Sequence, residues 1–211
     1  MDVKNVLVLC MGNVGRSPLI AAALAEELDG TGINVVARGL RKPSMGHTTA
    51  NPDMMKLLEV MRERKEKFGD RAIGSIFEVL KKHTPTQVTK GELEKTDLVV
   101  VVSPMLKKEL FEKFGGVVPG LSDKSFTVRE YISRQVKGKP LIDLRGKPAR
   151  LLDHIYYDKK EAKWKPKPGT IRINGPKGKM YDIVNPLMRK HISECARVGW
   201  TIGKHLRKQI K

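Results

Sequence analysis

The chain has 211 residues, a formal net charge of +18, two cysteines and five histidines. Its length suits one domain able to bury a real core, and no apolar run approaches the roughly 18 residues of a membrane span. Two cysteines cannot build a disulfide framework, and they have no metal-type spacing with the histidines. The start, Met1-Asp2-Val3-Lys4-Asn5, lacks the basic, long apolar and small-residue segments of a signal peptide, so a reducing cytoplasm without membrane contact is expected.

Val6 to Leu9 is a continuous apolar run ending at Cys10, suited to a strand buried on both faces of a parallel sheet. Gly12, Asn13 and Gly15 break regular structure. Ser17-Pro18 opens a helix whose apolar face is Ala21, Ala22, Ala23, Leu24 and Leu28. Pro18 is read at its first position, where a missing N–H costs nothing. Asp29-Gly30-Thr31-Gly32 ends it. Ile33 to Ala37 reads as a second strand, and Pro52 to Lys67 and Arg71 to Lys82 as helices joined at Gly69. Leu98 to Val102 is another apolar strand, a helix runs from Pro104 to about Phe114, and Ser125 to Val128 is a short fourth strand. Strands alternating with helices predict a doubly wound, Rossmann-like α/β domain, with about four parallel strands, spanning 1–211.

From about 137 to 180 the alternation fails. Lys-Gly-Lys-Pro, Lys-Trp-Lys-Pro-Lys-Pro-Gly and Asn-Gly-Pro-Lys-Gly-Lys mark a basic Lys/Pro/Gly-rich insertion. A hairpin is expected around Thr170 to Met180, and Leu151 to Tyr157 reads equally as a helical turn or a strand. A long helix begins at Pro186, with Met188, Ile192, Cys195, Gly199, Ile202 and Leu206 near one face. From Lys137 onward, 20 Lys/Arg stand against 6 Asp/Glu, a balance of +14; the first 136 residues carry 21 and 17, a balance of +4. The last third is therefore either a surface for polyanions or a lysine-rich solvated face.

The chemistry lies in Cys10-Met11-Gly12-Asn13-Val14-Gly15-Arg16-Ser17. Between a buried strand and a helix N-terminus, successive N–H groups can curl around a phosphate as a nest, with the helix dipole beneath. Arg16 can grip two phosphate oxygens, which a lysine cannot do in bidentate fashion. The same field favours the thiolate form of Cys10, which is then placed for in-line attack on phosphorus. Ser17 can hydrogen-bond the sulfur. Gly12, Asn13 and Gly15 tolerate the positive φ of a tight cradle. The nest and Arg16 supply the charge complement, so no metal or cofactor is needed. Gly-x4-Gly-Lys is absent, which excludes a nucleotide P-loop. The plainer alternative is a buried cysteine at a strand end, with Arg16 in a surface ion pair.

Val8 to Pro18 resembles the low-molecular-weight protein tyrosine phosphatases, a superfamily that includes arginine-phosphate phosphatases and thioredoxin-coupled arsenate reductases. The resemblance continues in His83 to Asp97, Leu98 to Ser103 and Phe126 to Tyr131, and covers roughly 1–136 and 181–206. It implies that Cys10 is the nucleophile, that Arg16 binds phosphate, that Asn13 and Ser17 organise the cradle, and that His83 supports the loop asparagine. A surface helix-end residue is the plainer reading of His83.

The departures matter. The family's general acid is an aspartate before a proline, and the matching segment Asp182-Ile183-Val184-Asn185-Pro186 has Asn185 there. An amide cannot exchange protons near neutral pH, and acid–base catalysis is typically worth about 10²–10⁴-fold. Either the enzyme is slow, or Asp182 or Asp143 substitutes, or phosphoryl groups are bound without turnover. Asp182 reads equally as a cap or turn residue. Gly15 stands where many members have a second loop cysteine, so that redox switch is absent, and Cys195 reads chiefly as a small buried hydrophobe. The further cysteines of arsenate reduction are missing. Leu187 stands where eukaryotic members have tyrosine, and Val14 looks more like the tyrosine-phosphatase branch.

The expected function is hydrolysis of a phosphorylated protein or small phosphomonoester. The alternative is a non-catalytic phosphoryl- or RNA-binding module, in which the basic segment 137–211 and the interleaved Tyr156, Tyr157 and Trp164 contact phosphates and bases. A combination, a phosphatase acting on phosphorylated RNA or an RNA-bound protein, is a third reading.

Overall fold

The computed structural model describes residues 3–43, 48–63, 65, 67–68, 71–134, 155–158, 163–166 and 181–210. Four strands form the central sheet: β1 (Asn5–Cys10), β2 (Asn34–Gly39), β5 (Leu98–Val101) and β6 (Ser125–Thr127), in the order β2-β1-β5-β6. All three pairings are parallel; Val8 stands opposite Ala37 on one side and Val100 on the other. The doubly wound α/β expectation holds. Val8, Leu9 and β5 are almost wholly buried, as strands covered on both faces must be. Asp97 Oδ2 accepts from the backbone N–H groups of Lys4 (2.9 Å) and Asn5 (2.8 Å), which fixes where β1 and β5 start relative to one another. The chain leaves β1 for β2 and later returns to β5 on the other side, so the carboxyl end of β1 is a topological switch point, where open α/β sheets bind ligands.

The helices are α1 (Arg16–Glu27), α2 (Pro52–Glu63), α3 (Gly74–Lys81), α4 (Lys90–Lys95), α5 (Pro104–Phe114), α6 (Leu121–Lys124), α7 (Val128–Arg134) and α8 (Tyr181–Gln209). α1 packs closely on α8: Gly199 lies against Ile20, Ala23 and Leu24, and Gly203 against Leu24 and Glu27. Arg207 then reaches over the C-terminal end of α1, donating from Nε to Glu27 O (2.8 Å) and from Nη2 to Asp29 O (2.7 Å). These carbonyls have no intrahelical partner, so a guanidinium is a suitable cap. Trp200 Nε1 donates to Glu26 Oε2 at 2.7 Å.

Several boundaries differ from the sequence reading. α1 starts at Arg16, which makes Pro18 its third residue; the missing N–H still falls among the four with no intrahelical acceptor. α2 stops at Glu63, because Lys65 takes a φ of 53°, which a right-handed helix cannot contain. Beyond it, Lys67–Phe68 (β3) and Arg71–Ala72 (β4) pair antiparallel, so Arg71 does not begin a helix. β2 runs on to Gly39. α8 starts at Tyr181 rather than Pro186, which puts a proline inside it and leaves Asp182 O without its i+4 donor.

Of the segment 137–180, two short strands are described: β7 (Ile155–Asp158) and β8 (Lys163–Pro166). They pair antiparallel, with Tyr157 opposite Trp164 and Tyr156 opposite Lys165. Ile155 to Tyr157 is thus strand; the hairpin expected at Thr170 to Met180 lies outside the described residues. Among the described residues no helix is long and apolar enough to cross a membrane.

Candidate active site

β1 delivers Cys10 to the switch point, opposite Gly39 of β2 and 3 % exposed. Two donors reach its sulfur: Ser17 Oγ at 3.0 Å and the backbone N–H of Asn13 at 3.3 Å. Ser17 is fully buried. Its oxygen also lies 3.0 Å from Asn13 Oδ1 and 3.2 Å from Arg38 O. A hydroxyl has one proton, so these acceptors compete for it; a negatively charged sulfur wins, because hydrogen bonds to ions are stronger.

Asn13 is the residue that turns the loop. Its φ is 58°, and Nδ2 donates to Ala37 O (3.1 Å) and Thr86 O (3.4 Å). Asparagine is among the few residues that accept this conformation readily, and the two anchors hold it there. Gly12 and Gly15 do not share the positive φ expected of them; Gly15 has φ −144°. Gly15 is instead the N-cap of α1 and makes no side-chain cap bond, which leaves the first N–H groups of α1 directed at the loop. Arg16 is the first residue of that helix and is half-buried.

His83 Nε2 lies 2.7 Å from Asn13 O. A carbonyl only accepts, so the proton is on Nε2. Burial lowers the pKa of His83, and the charge of Arg38 adds to the effect against the pull of the Asn13 hydrogen bond. The ring is therefore a neutral donor at physiological pH. Met11 O and Cys10 O accept from Arg41 N and Leu40 N, both at 2.9 Å, and Val14 O accepts from Asn51 N at 2.7 Å. The loop is thus braced from β2 and from the start of α2. Arg41 in turn makes a two-pronged contact with Glu109 (2.9 Å each), whose carboxyl Arg41 and Lys113 hold down to about 2.

The structure brings Cys10, Asn13, Ser17 and His83 into one hydrogen-bonded cluster beside Arg16. Asp182 and Asn185 occupy the first two turns of α8, and Asp143 lies outside the described residues. Cys195 is wholly buried on α8, its Sγ 3.7 Å from His191 Nε2. Burial pushes its thiol up to about 12, despite the opposing charge of Arg16, so it stays protonated and is a poor nucleophile. Among the described residues no three His, Cys, Asp or Glu side chains are grouped to hold a metal.

Gly39 is a residue the sequence reading passed over. A Cβ there would stand 2.9 Å from Met11 O and from Arg41 O and 3.0 Å from Asn13 N. All three are backbone atoms, so the loop itself would have to move. The available signal was a glycine at the end of an apolar strand, which often marks close backbone approach. Gly39→Ala is expected to weaken binding of inorganic phosphate about tenfold; calorimetric titration beside wild type measures it, and unchanged affinity would show that the loop tolerates the shift.

A low-molecular-weight protein tyrosine phosphatase from Bacillus subtilis matches at 18 % identity and TM-score 0.56, over 98 % of this chain and 99 % of that one. The YwlE arginine phosphatase from Geobacillus stearothermophilus matches at 18 % and 0.55, over 97 % and 94 %. The tyrosine phosphatase Wzb from Escherichia coli K30, in complex with sulphate, matches at 13 % and 0.52, over 99 % of each chain. This is the low-molecular-weight phosphatase fold. No family profile and no curated protein matches the sequence.

Proposed function

We propose that this chain hydrolyses phosphomonoesters through a phosphocysteine on Cys10. The observation that carries the reading is the Cys10 sulfur, which receives hydrogen bonds from Ser17 and Asn13 beneath the uncapped start of α1. In the first step the thiolate attacks phosphorus and the bond from phosphorus to the leaving oxygen breaks. Arg16 and the N–H groups of 11–17 hold the three remaining oxygens, which gather charge in the transition state. In the second step water attacks phosphorus, the sulfur–phosphorus bond breaks to return the thiolate, inorganic phosphate departs carrying the water's protons, and the Ser17 hydroxyl swings its hydrogen bond from Asn13 Oδ1 or Arg38 O back to the sulfur. Asn13 and His83 act through the loop as positioning residues.

The leaving oxygen needs a proton unless it is already a good leaving group. Asn185 cannot supply one, so aryl phosphates, including phosphotyrosine on a protein, are better substrates than alkyl phosphates. Asp182 and Asp143 are the candidate acids. The test is p-nitrophenyl phosphate hydrolysis against pH for wild type and for the Asp182→Asn, Asp143→Asn and Asn185→Asp variants. Asn185→Asp is expected to raise turnover of an alkyl phosphate by about 10²-fold, the lower end of what general acid catalysis provides, and to raise the aryl substrate less. If one aspartate variant alone removes an acid limb from the profile, that residue is the acid. No turnover in any variant, with phosphate still bound, would favour the binding-module reading.

His83 adds a pH dependence. Its folded pKa lies below the ordinary 6.5, so between the two values the unfolded chain binds more protons. Stability is then full above about 6.5 and declines as pH falls through the folded value. The thermal midpoint of wild type is expected to drop between about pH 7.5 and pH 5 by more than that of His83→Gln, which has no such proton to take up. Equal drops would remove His83 from the account.

A further inference from the structure

We propose that the outer face of α8, with the β7–β8 ribbon, binds single-stranded nucleic acid. The ion pairs whose two partners are both described join residues 27–130: Arg38–Glu92, Arg41–Glu109, Arg71–Glu27 and Lys107–Glu130 among them. α8 is different. Its buried face is apolar, from Ile192 through Val198 and Ile202 to Leu206, and its one described acidic side chain, Glu194, is buried on that same side. The outer face carries Arg197, Lys204 and Lys208, all exposed and with no ion-pair partner among the described residues. These positions fall at i, i+7 and i+11, so they form one stripe about 16 Å long at 1.5 Å per residue. A one-sign stripe on a helix otherwise committed to the core is an electrostatic footprint for a chain of phosphates.

The ribbon narrows the class of polyanion. β7 and β8 set Tyr157 opposite Trp164 and Tyr156 opposite Lys165, with Lys163 and Lys165 flanking the tryptophan. Aromatic residues interleaved with lysines suit bases on a sugar-phosphate backbone, because every base has a face to stack and every link a charge. A sulfated polysaccharide would use the lysines alone; an acidic vesicle would also take up the rings, so vesicles form a separate arm of the test.

The experiment is fluorescence anisotropy of labelled 20-residue oligo(U) and oligo(dT), titrated with the full chain over a range of salt. Each phosphate neutralised contributes about −0.7 to the slope of log K against log salt. The triple variant Arg197→Glu/Lys204→Glu/Lys208→Glu is expected to flatten the slope by about two and to weaken binding at least 30-fold. Trp164→Ala is expected to weaken it about tenfold with the slope unchanged. Cys10→Ser is expected to bind as wild type does, which separates this surface from the phosphate loop and from the fate of the phosphatase reading. Should the triple variant not fold, Trp164→Ala and the wild-type slope still decide. Unchanged affinity in Trp164→Ala, or heparin or phosphatidylserine vesicles competing as well as the oligonucleotide, would overturn the proposal in favour of a general polyanion or membrane surface. Binding to oligo(U) alone, without oligo(dT), would narrow it to RNA.

Discussion

Cys10→Ser is expected to lower p-nitrophenyl phosphate turnover by at least about 10⁴-fold and to leave the affinity for inorganic phosphate within a few-fold of wild type. A serine hydroxyl in the same place remains protonated, and among the described residues only Ser17 and Asn13, neither of them a base, bond to this position, so attack is slow; a phosphoserine once formed would also release phosphate slowly, because an alkoxide leaves far less easily than a thiolate. On the proposed reading binding would persist because it would come from other atoms: the N–H groups at the start of α1 and the guanidinium of Arg16. The split distinguishes a nucleophile from a structural cysteine. Stopped assays at high enzyme concentration measure the rate, and the phosphate-dependent rise in thermal midpoint measures the binding. Retained turnover would return Cys10 to the plainer reading of a buried strand-end residue. Arg16→Lys makes the complementary measurement. It keeps the charge and loses the two-pronged geometry, and a fall of about 10²–10³ is expected, as when one preorganised donor is removed.

The largest stability effect is expected at Gly199→Leu. Even the first carbon of a side chain there would overlap Ile20 O and stand 2.8 Å from Ala23 Cβ and 2.9 Å from Leu24 N. Two of these three atoms are α1 backbone, so no rotamer change relieves the contact and the helices must separate. Overpacking typically costs about 1–3 kcal/mol, and occasionally more where only backbone can yield. For a chain of this size, 3 kcal/mol corresponds to a fall of roughly 6–12 °C in thermal midpoint. Calorimetry on Gly199→Leu reads it directly. A shift below about 2 °C would mean that α8 has room to move on α1.

The sheet was readable in advance because its strands are buried on both faces. Val6 to Leu9 and Leu98 to Val101 are unbroken apolar runs, and burial alone produces that pattern. The place of the Cys10 loop, between β1 and α1, was readable because glycine and asparagine follow an apolar run and precede an alanine-rich helix. What escaped was geometry that side-chain identity does not encode. Asn13, rather than Gly12 or Gly15, takes the positive φ, because Ala37 O of β2 and Thr86 O of the loop before α4 anchor its amide from positions distant in sequence. Gly39 matters through the space it leaves to the loop's backbone. The early end of α2 follows from a single lysine at positive φ, which no propensity scale anticipates. The start of α8 at Tyr181 was missed because proline ordinarily marks a helix beginning and here lies inside one.

The packing of α8 on α1 bears on when the protein gains its chemistry. α1 and Cys10 are synthesised well before the surface that seats α1, which Gly199, Gly203 and Arg207 of α8 supply. Contacts that distant in sequence close late. A nascent chain still on the ribosome holds the thiol, the arginine and the serine without the clamp that keeps them in register. On the proposed reading, the site is therefore complete only once α8 has left the exit tunnel and packed on α1.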